Sequence, residues 1–472
     1  MFVELLKSEG FHGELIKYGG RMNIYFISLG CDKNLVDSEN MLGILNENGY
    51  RITSDEQEAD VIIVNTCCFI HDAKEESITT ILEMAEYKKT GSLKALIVTG
   101  CLAERYKDEI LKEIPEVDAL LGTSSFAKIV EVLKEITDGG QHTHFESLEV
   151  LPKSSGKRML TSGSYFAYLK IAEGCDKHCT YCIIPQVRGN YRSVPMEELL
   201  QEAEYLAGQG VKELILVAQE TTLYGKDLYE EVKISALLHE LCKVSGIEWI
   251  RILYCYPEEI TDELIEAMKQ EPKICRYLDI PIQHASDRIL KLMGRRTNKE
   301  DLKRIIGKLR SNLPDIVLRT TLITGFPTET QEEHEELLEF VREMRFERLG
   351  VFTYSKEDNT PAAKLKPQIL AKVKKQRQKE IMKLQQSIVF QRTENLIGRT
   401  YDVLIEGRIA DEEQVYIGRT YMDAPQVDGF LFLNSETELI SGDIVKVEVT
   451  GAKGYDLVGE LAEGRQERES TK

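Results

Sequence analysis

The sequence predicts an α/β protein in three parts: an N-terminal parallel α/β domain, a central open (partial) β/α barrel and a small C-terminal antiparallel β-barrel. Three observations carry this prediction. Short apolar runs alternate with helical stretches over two long segments, an order that requires parallel sheets with right-handed crossovers. The second segment offers six strand candidates, fewer than the eight that close a barrel. The tail is a series of β-prone runs broken at close spacing by Gly/Asp turns, the pattern of a small barrel.

In the first segment the strand candidates are residues 24–29, 61–65 and 96–99, followed by helical patterns at 35–47, 73–87 and 103–111. The polar, Gly- and Ser-containing stretch 138–164 reads as a linker. The second segment places strands at 167–172, 213–217, 250–254, 277–281, 317–323 and 349–352. A Lys-rich helical stretch, 371–386, leads into β-prone runs at 401–406, 429–433 and 444–450. The expected domain boundaries are 22–140, 161–390 and 394–462. Residues 1–21 lack the order of a signal peptide, and the folded pattern starts at Met22, which leaves two readings of them: a disordered extension, or a mis-assigned one with Met22 the true start. No apolar run approaches the ~20 residues that span a bilayer. A cytoplasmic protein is expected, with no membrane partner.

Lys and Arg number 60 against 79 Asp and Glu, a net charge of −19. Broad nucleic-acid binding needs clustered cations, so nucleic acid is not expected as the main substrate; a basic partner is favoured. Ten cysteines without an export signal point to reduced thiols engaged in metal or redox chemistry.

Cys175, Cys179 and Cys182 form a C-x3-C-x2-C run just past the first strand of the second segment. Three soft thiolates on one loop suit an iron–sulfur cluster or zinc. Structural zinc wants a fourth ligand at matched spacing, and no second C-x-x-C pair follows. Three cysteines on a cubane leave one iron open for a substrate. Cys31, Cys67 and Cys101 are far apart in sequence, yet each stands just past the end of one strand of the first segment. Parallel strands bring such ends to one edge, where open α/β sheets bind ligands. A second three-cysteine site is therefore predicted, against the plain alternative of three buried small hydrophobes. Cys68 is read as a bystander beside Cys67, and Cys242, Cys255 and Cys275 as packing residues.

The chain resembles the methylthiotransferase family of radical S-adenosylmethionine enzymes over nearly all of residues 22–461. The resemblance rests on Phe26-Ile27-Ser28-Leu29-Gly30-Cys31-Asp32-Lys33-Asn34, Asn65-Thr66-Cys67, Thr99-Gly100-Cys101, Glu173-Gly174-Cys175 through Cys182 with Ile183-Ile184-Pro185, and Gly325-Phe326-Pro327. The tail is similar to a TRAM domain. Within the family, Val36-Asp37-Ser38-Glu39, residues 216–222, residues 278–286 and Tyr421-Met422-Asp423-Ala424-Pro425-Gln426-Val427-Asp428-Gly429 resemble the branch that modifies an aspartate of the twelfth small-subunit ribosomal protein. Cys68 stands where that pattern has glycine.

This resemblance implies two 4Fe–4S clusters, one on Cys175, Cys179 and Cys182 and one on Cys31, Cys67 and Cys101, with S-adenosylmethionine as radical source and methyl donor. It also implies a flavodoxin-like or ferredoxin-like electron donor and methylthiolation at the aspartate β-carbon. A short-lived radical must meet its sulfur at contact range, so both sites should face one cavity. The resemblance places Tyr181 near the adenine. Gln219, Gln283 and Arg319 lie at or past strand ends and are expected to contact S-adenosylmethionine. His284 has the same placement, but radical abstraction needs no general base. Gly325-Phe326-Pro327 is expected to turn the chain beside the cofactor. Residues 394–460 carry 14 Asp/Glu and 5 Lys/Arg, a net of −9, which repels phosphate and suits a basic protein substrate. The Lys-rich 371–386 stretch could touch ribosomal RNA, though a solvated linker helix is the simpler expectation. The alternatives are a tRNA adenosine methylthiotransferase and a non-catalytic iron–sulfur or zinc scaffold.

Overall fold

The computed structural model describes residues 22–91, 93–136, 140–152, 157–410, 412 and 414–462. The expectation about residues 1–21 and part of the predicted linker fall outside them. The apolar runs of the first segment become strands Asn23–Ser28, Val61–Thr66 and Ala95–Gly100, at the centre of a six-stranded parallel sheet. Its order is Arg51–Thr53, Asn23–Ser28, Val61–Thr66, Ala95–Gly100, Ala119–Leu121, His142–His144. The three outer strands have three residues each, too few for a periodic signal, and sequence analysis missed them. His142–His144 corrects the boundary at 140: residues assigned to the linker supply the sheet's last strand. The runs Val61–Thr66 and Ala95–Gly100 are wholly buried because both faces are covered. Ile62, Val64, Leu96 and Val98 pack on one face; Val61, Ile63, Ala95 and Ile97 pack on the other.

The second sheet is six parallel strands in sequence order: Phe166–Lys170, Glu213–Val217, Trp249–Ile252, Ile274–Asp279, Val317–Thr324 and Arg348–Thr353. The first and last do not pair, so the barrel is open as predicted. Its side chains alternate. Ala167, Leu169, Leu214 and Leu216 pack with the helices, while Phe166, Tyr168, Ile215 and Val217 line the concave interior. Helix Ala371–Glu394, longer than the predicted 371–386, packs beside the last strand and leads to the third unit.

That unit is a closed five-stranded barrel of Thr400–Arg408, Val415–Arg419, Leu431–Asn434, Ile444–Lys453 and Asp456–Leu461. Four of its seams are antiparallel, and the seam between Leu431–Asn434 and Asp456–Leu461 is parallel. An odd number of strands cannot close with every neighbour reversed, so one parallel seam is required. Among the described residues, no helix is long and apolar enough to cross a membrane.

The small barrel closes the amino-terminal end of the partial barrel through charge. Glu213, Arg251 and Arg419 are fully buried. Arg251 Nε donates to Glu213 Oε1 at 2.7 Å, and Arg419 Nη2 donates to Glu213 Oε2 at 2.8 Å. Arg419 also pairs with Glu406, and Arg251 Nη1 donates to Tyr421 O at 2.7 Å. The Tyr421-to-Gly429 motif continues the seam: Asp423 pairs with Arg348, and Asp428 accepts from Tyr277 Oη at 2.7 Å. Burial pushes the Glu213 carboxyl up, but Arg419 and Arg251 outweigh that and hold it below the usual carboxylate range.

Glu213→Gln leaves two buried guanidiniums without their shared counter-charge and should destabilise the protein by about 3–5 kcal/mol in chemical denaturation. Because the folded pKa is depressed, Glu213 contributes stability fully above its unfolded pKa. That contribution is lost as pH falls through the lower folded value, so the wild-type advantage over Glu213→Gln should shrink below about pH 4.

Candidate functional site

The first site is built at the carboxyl ends of three adjacent strands. Ser28 is level with Asn65, and Asn65 with Thr99, so the next residues of all three strands emerge on one edge. Cys31, Cys67 and Cys101 stand there, Cys31 exposed and the other two buried. Gly30 has φ +93°, and a Cβ on it would lie 2.6 Å from Cys67 Cβ, so only glycine lets these loops approach. Asn34 ties the loops together, its Nδ2 donating to Leu29 O at 3.0 Å and Thr66 O at 2.8 Å. Asn65 Nδ2 donates to Asn34 O at 3.0 Å and Ser38 Oγ at 2.9 Å. Burial first, and then the neighbouring thiols of Cys101 and Cys31, push the Cys67 thiol up to about 12. Cys68 turns the other way: its thiol donates to Cys101 O at 3.2 Å inside the apolar core of the first sheet. Cys242, Cys255 and Cys275 are buried in the cores of the second unit.

The second site is the loop after strand Phe166–Lys170. Gly174, at φ +79°, would place a Cβ 2.0 Å from Asn190 O, so the turn into Cys175 requires glycine. Cys175 N donates to Gly189 O at 3.1 Å, and Cys182 N donates to Cys179 O at 3.0 Å. Thr180 anchors the loop, its N donating to Met293 O at 2.9 Å and its hydroxyl to Leu292 O at 2.7 Å. Cys179 Sγ lies 3.6 Å from Tyr256 Oη and 4.0 Å from Arg295 Nη1, and the Arg295 guanidinium stacks 4.3 Å over the Tyr256 ring. Burial pushes the Cys175 thiol up to about 12, with Glu220 and Cys179 adding to it; burial, Cys179 and Cys175 raise Cys182. Among the described residues, no three His, Cys, Asp or Glu side chains close around a single metal ion.

A layer of buried charge links the two loops. Arg188, six positions after Cys182, donates from Nη1 to Asp37 Oδ2 at 2.7 Å and Glu173 Oε2 at 3.1 Å. Its Nε lies 3.4 Å from Cys101 Sγ, and it also reaches Asn34 Oδ1. Lys170, the last residue of its strand, pairs with Asp37 and donates to Glu173 Oε2 at 2.7 Å. Tyr254 Oη donates to Asp32 Oδ1 at 3.1 Å, and the Lys33 ammonium sits 3.3 Å from the Tyr254 ring centroid. Helix Asp32–Glu47 thus lies over the carboxyl mouth of the partial barrel, with Leu35 and Val36 packed among its interior residues. Burial raises the Glu173 carboxyl, but Lys170 and Arg188, with a Gln219 hydrogen bond, hold it well below the usual range.

The predicted contact residues are placed as follows. Tyr181 is half-buried beside Cys179, Cys182 and Arg295, the groups after burial that act on its hydroxyl. Gln219 Nε2 donates to Glu173 Oε1 at 2.8 Å. Gln283, at φ +70°, is pinned by its N donating to Thr321 O at 2.9 Å. The Gln219 and Gln283 amide oxygens are buried with no hydrogen-bond partner among the described residues. Arg319 is instead committed to Asp279, at 3.2 Å, and Asp428, at 3.7 Å, on the side where the small barrel docks. His284 is fully buried, its Nδ1 accepting from Ser286 N at 3.0 Å, and burial pulls its pKa down to about 3. It is neutral at physiological pH and serves the loop. In Gly325-Phe326-Pro327, Phe326 is buried and its N donates to Glu329 Oε2 at 3.0 Å. Sequence analysis quoted Asn34, Asp37 and Glu173 within motifs without roles, and missed Lys170, Arg188, Tyr256 and Arg295. Arg188 carried one usable signal, a lone cation closing the apolar run that leaves the cysteine loop.

Residues 23–122 match the uncharacterized protein family UPF0004, residues 169–341 the Radical SAM superfamily and residues 397–462 the TRAM domain. A ribosomal protein uS12 methylthiotransferase RimO of Lachnoclostridium phytofermentans is 64% identical over 438 residues, 93% of this chain and 99% of that protein. Proteins of the same name from Acetivibrio thermocellus and Clostridioides difficile are 52% and 51% identical, each over 93% of this chain and 98% and 99% of their own length. Among solved structures, the radical S-adenosylmethionine methyltransferase TsrM of Kitasatospora setae superposes with TM-score 0.52 at 13% identity, covering 73% of this chain and 77% of that one. The cobalamin-dependent radical enzyme OxsB gives 0.52 at 12%, over 68% and 52%. At such identities the likeness is one of fold.

Arg188→Met should leave Asp37 and Glu173 sharing Lys170 as their cation and cost about 3–5 kcal/mol in chemical denaturation. Adding Asp37→Asn should recover part of that loss, a coupling that independent sites do not show.

Proposed function

The chain belongs to the RimO family of ribosomal protein uS12 methylthiotransferases, and from that membership we propose that it adds a methylthio group to the β-carbon of an aspartate of ribosomal protein uS12 in the cytoplasm. One observation carries the proposal: the edge bearing Cys31, Cys67 and Cys101 lies against the barrel mouth bearing Cys175, Cys179 and Cys182, and Arg188 spans the two.

The Radical SAM match brings S-adenosylmethionine and one 4Fe–4S cluster to the chain, and Cys175, Cys179 and Cys182 are the residues proposed to hold the cluster. Cys31, Cys67 and Cys101 are proposed to hold a second. The donors fit: six thiols in two sets of three, with unpartnered buried amide oxygens of Gln219 and Gln283 beyond the strand ends. When bound, these groups supply the electron that opens S-adenosylmethionine to an adenosyl radical and the sulfur that reaches the substrate, a flavodoxin-like or ferredoxin-like protein being the source of electrons.

The chain's own residues position and neutralise. The Gln219 and Gln283 oxygens are acceptors for the ammonium or hydroxyl donors of S-adenosylmethionine. Tyr181 presents an aromatic face beside the cysteine loop. Arg188 sets a fixed positive charge 3.4 Å from Cys101, offsetting the negative charge that a thiolate gathers there. Arg319 acts at one remove, by holding Asp279 at its strand end. The substrate choice draws on charge. Glu406, Asp423 and Asp428 turn inward, and setting them aside with Arg419 still leaves residues 394–460 with 11 acidic against 4 basic side chains. Such a charge balance suits a basic protein better than tRNA.

Anaerobic reconstitution should load about eight iron per chain, and a Cys31/Cys67/Cys101→Ala variant about four. That variant should still cleave S-adenosylmethionine but transfer no methylthio group, while Cys68→Ala should behave as wild type. Mass spectrometry after incubation with reductant, S-adenosylmethionine and either uS12 or tRNA decides the substrate. Modified tRNA with unmodified uS12 overturns the proposal.

A further inference from the structure

We propose that the groove between helices His71–Ala85 and Cys101–Glu113 is a docking site for a basic, partly apolar segment of the protein substrate, separate from the segment that carries the modified aspartate. This rests on the reading of the substrate as a ribosomal protein.

The groove has a volume of about 690 Å³. Leu102, Ile110 and Ile114 form a buried floor, and one wall is Ile78 and Leu82, one helical turn apart and 42% and 49% exposed. Large side chains left in water on one helix face beside a concave apolar floor mark a surface that a partner covers. The rim is acidic, formed by Glu75, Glu109 and Glu113. Lys74, the lysine of this lining, shares the Glu357 carboxylate with Arg105, and Lys112 lies 3.6 Å from Glu113; the three lining carboxylates still outnumber the one lining lysine, so the groove's balance is negative.

Its position relates it to the chemistry. Both helices begin at the cysteine edge, one at Cys101 itself and the other three residues after Cys68. Their first turns are clamped to the loop that follows the last strand of the partial barrel. His71 N donates to Ser355 Oγ at 3.1 Å, and Arg105 Nη1 donates to Glu357 Oε2 at 2.8 Å. The groove therefore runs outward from the thiol edge for about 16 Å along His71–Leu82, at 1.5 Å per residue. Its occupant follows from charge complementarity. Ribosomal proteins pack against RNA phosphate and carry dense Lys and Arg, and a basic segment with one or two apolar side chains matches an acidic rim over an apolar floor. Apolar anchors give such a contact its lifetime and the rim charges speed the encounter.

The test uses reconstituted holoenzyme, labelled full-length uS12 and a short peptide of its target loop, with two variants: Ile78→Ser/Leu82→Ser and Glu109→Lys/Glu113→Lys. Both pairs are exposed, and unchanged S-adenosylmethionine cleavage without substrate reports an intact fold. Each variant should raise Kd by anisotropy, and KM, for full-length uS12 about tenfold, leaving kcat and the KM of the short peptide unchanged. The charge-reversal variant should also lose the salt dependence of binding, which the serine variant keeps. Unchanged Kd in both variants overturns the docking site, as does a concentration-dependent dimer that the serine variant abolishes. Modification with groove-independent binding overturns the docking site alone. Groove-dependent binding without modification upholds the docking site and overturns the assigned reaction alone.

Discussion

Four buried side chains, Asp37, Lys170, Glu173 and Arg188, are the contact on which the two α/β units depend. A buried ion pair that loses one partner is far costlier than one never made, so such a network tolerates a single relative placement of its carriers. Asp37 belongs to the helix after Cys31, whereas Lys170, Glu173 and Arg188 flank the Cys175–Cys182 loop. Satisfying all four charges sets the carboxyl edge of one sheet against the carboxyl mouth of the other. Arg188 then has nowhere to extend but toward Cys101.

The same device operates at the opposite end of the partial barrel. Its concave interior is apolar where Tyr168, Ile215 and Val217 meet, and would lie open to water at the amino-terminal side. The small barrel fills that end, with Glu213 between Arg251 and Arg419 as its fixed point. The open barrel is thus stoppered at one end by a β-barrel and covered at the other by a helix. Ordered charge at both ends and apolar packing between them make the three units one body.

Much of the fold was legible in the sequence because its strands obey simple periodicities. The central strands of both sheets are long apolar runs between helical patterns, and the open six-stranded order follows from chain order and the handedness of crossovers. What escaped were short outer strands such as Ala119–Leu121, whose three residues complete no period, and the parallel seam of the small barrel, which is a property of closure. At the candidate site, the placement of all six cysteines just past strand ends was legible from spacing and strand position. The choice of Cys67 over Cys68 followed from strand register, and the structure turns the two side chains apart as that register implies. Arg188, Lys170 and Arg295 were not legible, because each matters through partners more than a hundred residues away or on another unit.

The sequence alone determined which chemistry is present: thiols at strand ends, in two sets of three, on parallel sheets whose carboxyl edges bind ligands. These are local properties, set by spacing and by the direction in which a strand runs. Only the tertiary structure decided where the sets stand relative to each other and which charges are spent holding them. Arg319 shows the difference: it was expected at a strand end beside a cofactor, but it is the third of eight residues in Val317–Thr324, and Asp279 and Asp428, brought from a neighbouring strand and a separate barrel, claim its guanidinium. A buried charge takes the nearest opposite charge, and nearness in a folded chain is decided by packing, which no local pattern encodes.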